Sequence, residues 1–138
     1  MPVAEVARQM LDLYPREADI DRALLVSCIE ACYDCADSCT QCADDCLAEE
    51  SHHDLTTCIR LNLDCADVCM TTGRVVARQT GRDLAVTAAV LRACIESCRS
   101  CAAECDIHAA HGMEHCRVCA DECRRCEHAC EELLAAIG

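Results

Sequence analysis

Phenylalanine and tryptophan are absent and tyrosine occurs only twice, so the chain has no aromatic platform on which nucleic-acid bases could stack. Positive charge is scarce as well. Twelve basic residues stand against 25 acidic ones, and the net charge of -13 repels a phosphate backbone, which excludes nucleic-acid binding. Long apolar runs are missing: stretches such as Leu84 to Leu91, broken by Thr87, fall far short of the roughly 20 residues that cross a bilayer. No membrane span is expected. Met1 to Met10 interleave acidic and basic side chains and lack a basic segment followed by an apolar one, so no export signal is read and a cytoplasmic location is expected. Glycine and proline are few, at Pro2, Pro15, Gly73, Gly81, Gly112 and Gly138, and so few breaks imply long helices.

The 138 residues suffice for one domain. Residues 3–13 form a short amphipathic helix that stops before Tyr14-Pro15, since the residue ahead of a proline avoids helical angles. Residues 17–137 then read as four helices. The first spans 17–50, and the second is capped by Asp54 and runs to Gln79, with Gly73 an oddity inside it. The third is capped by Asp83 and runs to Ala110, and the fourth covers 113–136. Links of roughly two to five residues favour an antiparallel up-down-up-down arrangement. No strand pattern is visible, so the expected fold is all-α: an antiparallel four-helix bundle preceded by a short helix.

What the chain has in excess is cysteine, 18 residues or about 13 percent, above the roughly 8–10 percent that marks a cysteine-driven protein. Cys28, Cys32, Cys35, Cys39, Cys42 and Cys46 step alternately by four and three along the first bundle helix. Cys94, Cys98, Cys101 and Cys105 repeat the step on the third, and Cys116, Cys119, Cys123, Cys126 and Cys130 on the fourth. The second carries Cys58, Cys65 and Cys69, with Asn62 in the vacant slot. Each series is a heptad seam, the face that a bundle turns to its axis, so the core should be lined with sulfur. Cysteine as a mere small hydrophobe would underpack such a core. Disulfides between residues four apart on a helix are too long to form unstrained, although bridges between helices stay open. Eight Cys-x-x-x-Cys and five Cys-x-x-Cys pairs instead suit metal ions held along the axis with shared sulfurs.

Charge selects the metal. If every thiol ionised, the interior would carry about -18, and about four tetrahedral zinc ions would leave roughly -10 of it uncompensated. One monovalent ion per thiolate neutralises the core, and thiolates select soft Cu(I). Iron–sulfur clusters require converging quartets that nothing in the ladder singles out.

The two ends of the bundle differ. One collects His52, His53, His108, His111 and His115, with Met113 and Asn62 close by, and His108 continues a cysteine stripe. Imidazole and thioether ligands there suit an entrance for Cu(I). The other end continues the stripes as Leu25, Val76, Leu91, Leu133 and Ile137, a plug. The candidate metal ligands read from the pattern are the 18 cysteines, with His108 and Met113 at the histidine end. His128 lies elsewhere and receives no role. Two other readings are a zinc-binding protein and a thiol redox protein, the latter requiring a low-pKa cysteine beside positive charge, for which Arg124 and Arg125 near Cys123 and Cys126 are the candidates. No catalytic motif is legible, and no turnover is expected.

The ladder on four helices, the short leading helix, the missing export signal and the histidine-bearing end resemble the four-helix-bundle copper storage proteins, specifically their cytosolic branch. The resemblance spans essentially the whole chain. It implies storage of many Cu(I) ions in a preformed bundle, a mouth at the His108, His111 and Asn62 end with those residues as ligands, and assembly into a homotetramer; charge balance sets the expected load at roughly one ion per cysteine, and a copper chaperone is a candidate donor.

Overall fold

The computed structural model describes residues 3–50 and 53–137. Five α-helices follow one another: α1 (Val3–Asp12), α2 (Arg22–Ala48), α3 (Thr56–Ala77), α4 (Leu84–Ala109) and α5 (Glu114–Ile137). A single 3-10 turn, His53–Leu55, precedes α3, and no strand occurs among the described residues. Helix α2 packs against α3 and α5, and α4 packs against the same two, so α2 to α5 form a square whose neighbours run antiparallel; α1 lies on α2.

Local chemistry sets the boundaries. Helix α2 begins five residues later than position 17 because Asp21 caps it, accepting from the Leu24 amide at 3.2 Å. Asp83 caps α4 as the sequence predicts, accepting from the Ala85 and Val86 amides at 3.0 and 3.1 Å. Asp54 sits inside the 3-10 turn rather than at the cap position of α3, which Leu55 holds without a side-chain cap. The links are residues 49–55, 78–83 and 110–113, two of them longer than expected. Gly81 and Gly112 supply the left-handed backbone in the second and third, at φ 67° and 91°. Arg82 secures the second link from beneath: nearly buried, it donates to Asp19 at 2.8 Å and to the Val76 carbonyl at 3.1 Å.

The axis of the square is the core, and every cysteine in it is at most 2% exposed. The largest fully buried side chains include Leu25, Val76, Leu91 and Leu133 at one pole and Leu55 at the other. Gly73 allows Tyr33 of α2 to lie against α3, since a β-carbon there would stand 2.8 Å from Tyr33 Cε1. Alanine normally improves a helix interior by about 1 kcal/mol over glycine. Here overpacking, typically about 1–3 kcal/mol, opposes that gain. Gly73→Ala is expected to lower stability by about 1 kcal/mol, read from urea denaturation midpoints; a rise would show that Tyr33 swings away freely.

Candidate metal centre

The alternating step of three and four residues places every seam cysteine on the axis, and there the sulfurs meet. All 18 are free thiols, and no disulfide joins the helices in this structure. At the plugged pole Cys130 lies 3.8 Å from Cys28 and 3.9 Å from Cys32, and Cys126 lies 3.8 Å from both Cys32 and Cys94. Further along, Cys69 is 3.7 Å from Cys65, Cys94 and Cys98. Cys39 is 3.7 Å from Cys119 and Cys123 and 4.0 Å from Cys101. Nearer the histidines, Cys42 meets Cys116 at 3.8 Å and Cys58 meets Cys105 at 3.9 Å.

These spacings suit a shared ion. With a metal–sulfur bond of about 2.3 Å, two sulfurs on one ion lie about 3.8 Å apart in a tetrahedron and about 4.0 Å apart in a trigonal plane. Several quartets have all ligand atoms within 4.8 Å of one another: Cys32, Cys94, Cys126 and Cys130; Cys35, Cys69, Cys98 and Cys126; Cys35, Cys39, Cys65 and Cys123; Cys39, Cys101, Cys119 and Cys123. Cys35, Cys39, Cys123 and Cys126 each belong to two of them, so the groups share sulfurs along the axis.

Hydrogen bonding sorts the thiols. Cys39 and Cys98 are held protonated, chiefly by contacts with Cys101 and Cys126 respectively, with burial acting in the same direction. Contacts with Cys130 first and Cys32 second favour the thiolate of Cys28 and bring it down to about 5. At the histidine pole, burial and then the charge of Cys58 push Cys46 up to about 12.

Asn62 sits fully buried among four thiols. Its amide nitrogen donates to the Cys58 carbonyl at 2.8 Å and lies 3.3 and 3.5 Å from the sulfurs of Cys58 and Cys105. Its oxygen accepts from Cys119 at 3.0 Å and from Cys101 at 3.3 Å. His108 is 8% exposed, and its Nε2 lies 2.7 Å from Glu104 Oε2. Met113 is half-buried against the core. His111 is exposed in the last link, where its amide donates to the His108 carbonyl. His52 and the side chain of His53 lie outside the described residues.

His115 makes contacts that its sequence position conceals. It falls off the stripe, yet its Nδ1 lies 3.4 Å from Cys42 Sγ and 3.5 Å from Cys116 Sγ, and with Cys46 these residues form a further four-ligand group. Its place directly before the first cysteine of α5 is the signal that could have found it. The basic residues weighed for redox chemistry face outward: Arg124 pairs with Asp106, and Arg125 with Glu30, Asp34 and Glu122 at 2.9–3.1 Å. Cys123 and Cys126 beside them are fully buried. His128 is exposed and lies 3.1 Å from Glu132. No helix is long and apolar enough to cross a membrane among the described residues.

This sulfur-lined square has known counterparts. Residues 21–135 match the family model for copper storage proteins. The chain belongs to the copper storage protein family. The match covers α2 to α4 and all but the last two residues of α5, and α1 lies outside it. Among solved relatives of the family, the copper storage protein Ccsp of Streptomyces lividans, in a form loaded with 10 copper equivalents, is 52% identical, with a TM-score of 0.90 over 94% of this chain and 98% of that one. A second structure of the cytosolic copper storage protein from Streptomyces lividans, with five coppers, is 50% identical, with a TM-score of 0.81 over 97% and 99%. An uncharacterized cysteine-rich protein of Bacillus subtilis (strain 168) is 38% identical over 109 residues, 79% of this chain and 94% of that protein.

Proposed function

We propose that this copper storage protein holds many Cu(I) ions in the cytoplasm, on the order of one per cysteine, and takes them up at the histidine pole. The observation that carries this reading is the column of sulfurs from Cys28 and Cys130 to Cys58 and Cys105, with neighbours 3.7–4.0 Å apart, quartets that share ligands within 4.8 Å, and Asn62 bridging the outer thiols. Each S–H···S contact is a place where a cation can take the proton's position between two sulfurs, so loading releases protons and needs little backbone motion. The ligand set comprises the 18 cysteines, with Asn62, His108, His111 and Met113 at the mouth; His115 joins them on its contacts with Cys42 and Cys116. The role is one of holding rather than turnover. A homotetramer and a copper chaperone donor complete the reading on family resemblance.

Titrating fully reduced protein anaerobically with Cu(I) against a chromogenic chelator, while following helicity by circular dichroism, tests it. Near-equivalence of ions and thiols at constant helicity is expected. Saturation at about one to four ions, the range of an ordinary thiolate site, or displacement of Cu(I) by Zn(II), would overturn it.

A further inference from the structure

Glu49 is the first residue beyond α2, and its backbone amide donates to the Cys46 carbonyl at 3.3 Å, so its position follows that of the helix end. Its carboxylate reaches across to α5 and lies 3.1 Å from His115 Nε2. An ionised carboxylate only accepts, so the contact places a proton on Nε2, and in the neutral ring the lone pair is then on Nδ1. That nitrogen faces Cys42 and Cys116 at 3.4 and 3.5 Å and can accept an S–H from either. The imidazole is therefore held from both sides: a fixed oxygen on the outside, two sulfurs on the inside. Every cysteine is shut from solvent, whereas the His115 ring is part-exposed, so an arriving ion meets this ring before it reaches sulfur.

We propose that Glu49 is a positioning residue for uptake: it aims the His115 Nδ1 lone pair at the Cys42–Cys116 pair, so that an incoming Cu(I) meets two sulfurs and a nitrogen already oriented. This rests on the histidine pole being the entrance. Carboxylates behind a ligating histidine orient the ring, and their loss typically costs about 10–100-fold in metal affinity or activity. Glu104 behind His108 repeats the arrangement at the same pole.

The test uses the full-length reduced protein and Cu(I) itself, delivered from a chelator of known affinity. Stopped-flow uptake of the first equivalent is compared for wild type, Glu49→Ala, Glu49→Gln and His115→Ala, alongside nitrogen-15 spectra of the histidine rings without metal. Glu49→Ala should slow first-equivalent uptake about tenfold. Glu49→Gln, which keeps an acceptor oxygen, should stay within about twofold of wild type. The wild-type spectrum should show His115 Nδ1 unprotonated and Nε2 carrying a slowly exchanging proton that Glu49→Ala loses. A ring proton on Nδ1, wild-type uptake in Glu49→Ala, or Glu49→Gln as slow as Glu49→Ala would overturn the assignment. If His115→Ala itself takes up copper like wild type, the entrance reading fails as well; if it is slow while Glu49→Ala is not, the role of Glu49 alone fails.

Discussion

Filling the bundle with Cu(I) is expected to raise its melting temperature by about 20 °C or more. Anything that binds the folded chain better than the unfolded one stabilises it. The unfolded chain keeps all 18 thiols and still binds copper, so only the folded excess counts. That excess comes from pre-arrangement: sulfurs already 3.7–4.0 Å apart need not be gathered from a coil. An excess of about 1 kcal/mol per ion over one ion per cysteine gives on the order of 18 kcal/mol, more than the whole stability of an ordinary domain. At a few degrees per kcal/mol for a chain of this size, the shift is of that order. Anaerobic thermal melts at successive copper equivalents should show a progressive rise; a melting point indifferent to copper would mean that the ions hold the coil as firmly as the bundle.

Alkali is expected to destabilise the empty protein and to spare the filled one. Cys46 has its thiol raised to about 12 by burial, and Cys39 and Cys98 are raised as well. An acid whose folded pKa exceeds its unfolded value, here 9.0, favours the folded state below pH 9; that contribution fades as the pH climbs towards the folded value. Thiols lowered by their neighbours, such as Cys28 at about 5, act in the opposite sense but only between about 5 and 9, so above pH 9 their contribution is constant. The sign between pH 9 and 12 is thus fixed by the raised thiols alone. Urea midpoints of the reduced apo protein should fall across that window, whereas copper-bound thiols have no proton to lose and should give a flat profile. On the acid side the same protons compete with copper, and loading should weaken as pH falls.

Much of this was legible because it is periodic. A step of three and four residues places a side chain on the bundle axis whatever its chemistry, so the four seams, the slot of Asn62 and the apolar plug could all be read from spacing. What resisted reading lies at helix ends, where single contacts decide. The start of α2 depends on Asp21 capping it, and the residues before it are held by Asp19 pairing with Arg82, 63 positions away. The 3-10 turn at His53–Leu55 displaces Asp54 from the cap position. His115 was legible as a member of the histidine pole but not as a neighbour of sulfur, because its ring reaches Cys42 from off the seam through geometry that Glu49 completes. Gly73 read as a weakness in a helix, and its reason lies on another helix, in the ring of Tyr33.

The plug of Leu25, Val76, Leu91 and Leu133, each fully buried, has a kinetic corollary. If the proposed entrance at the histidine pole is also the only exit, the sulfur column empties in the reverse order of its filling: last in, first out. Ions beside Cys28 and Cys130 can leave only after those beside Cys42 and Cys116 have gone, whatever their relative affinities. A retrieving ligand would then see a fast outer fraction and a slow inner one, and the length of the sulfur column, rather than the strength of any bond in it, would set how long the deepest copper stays.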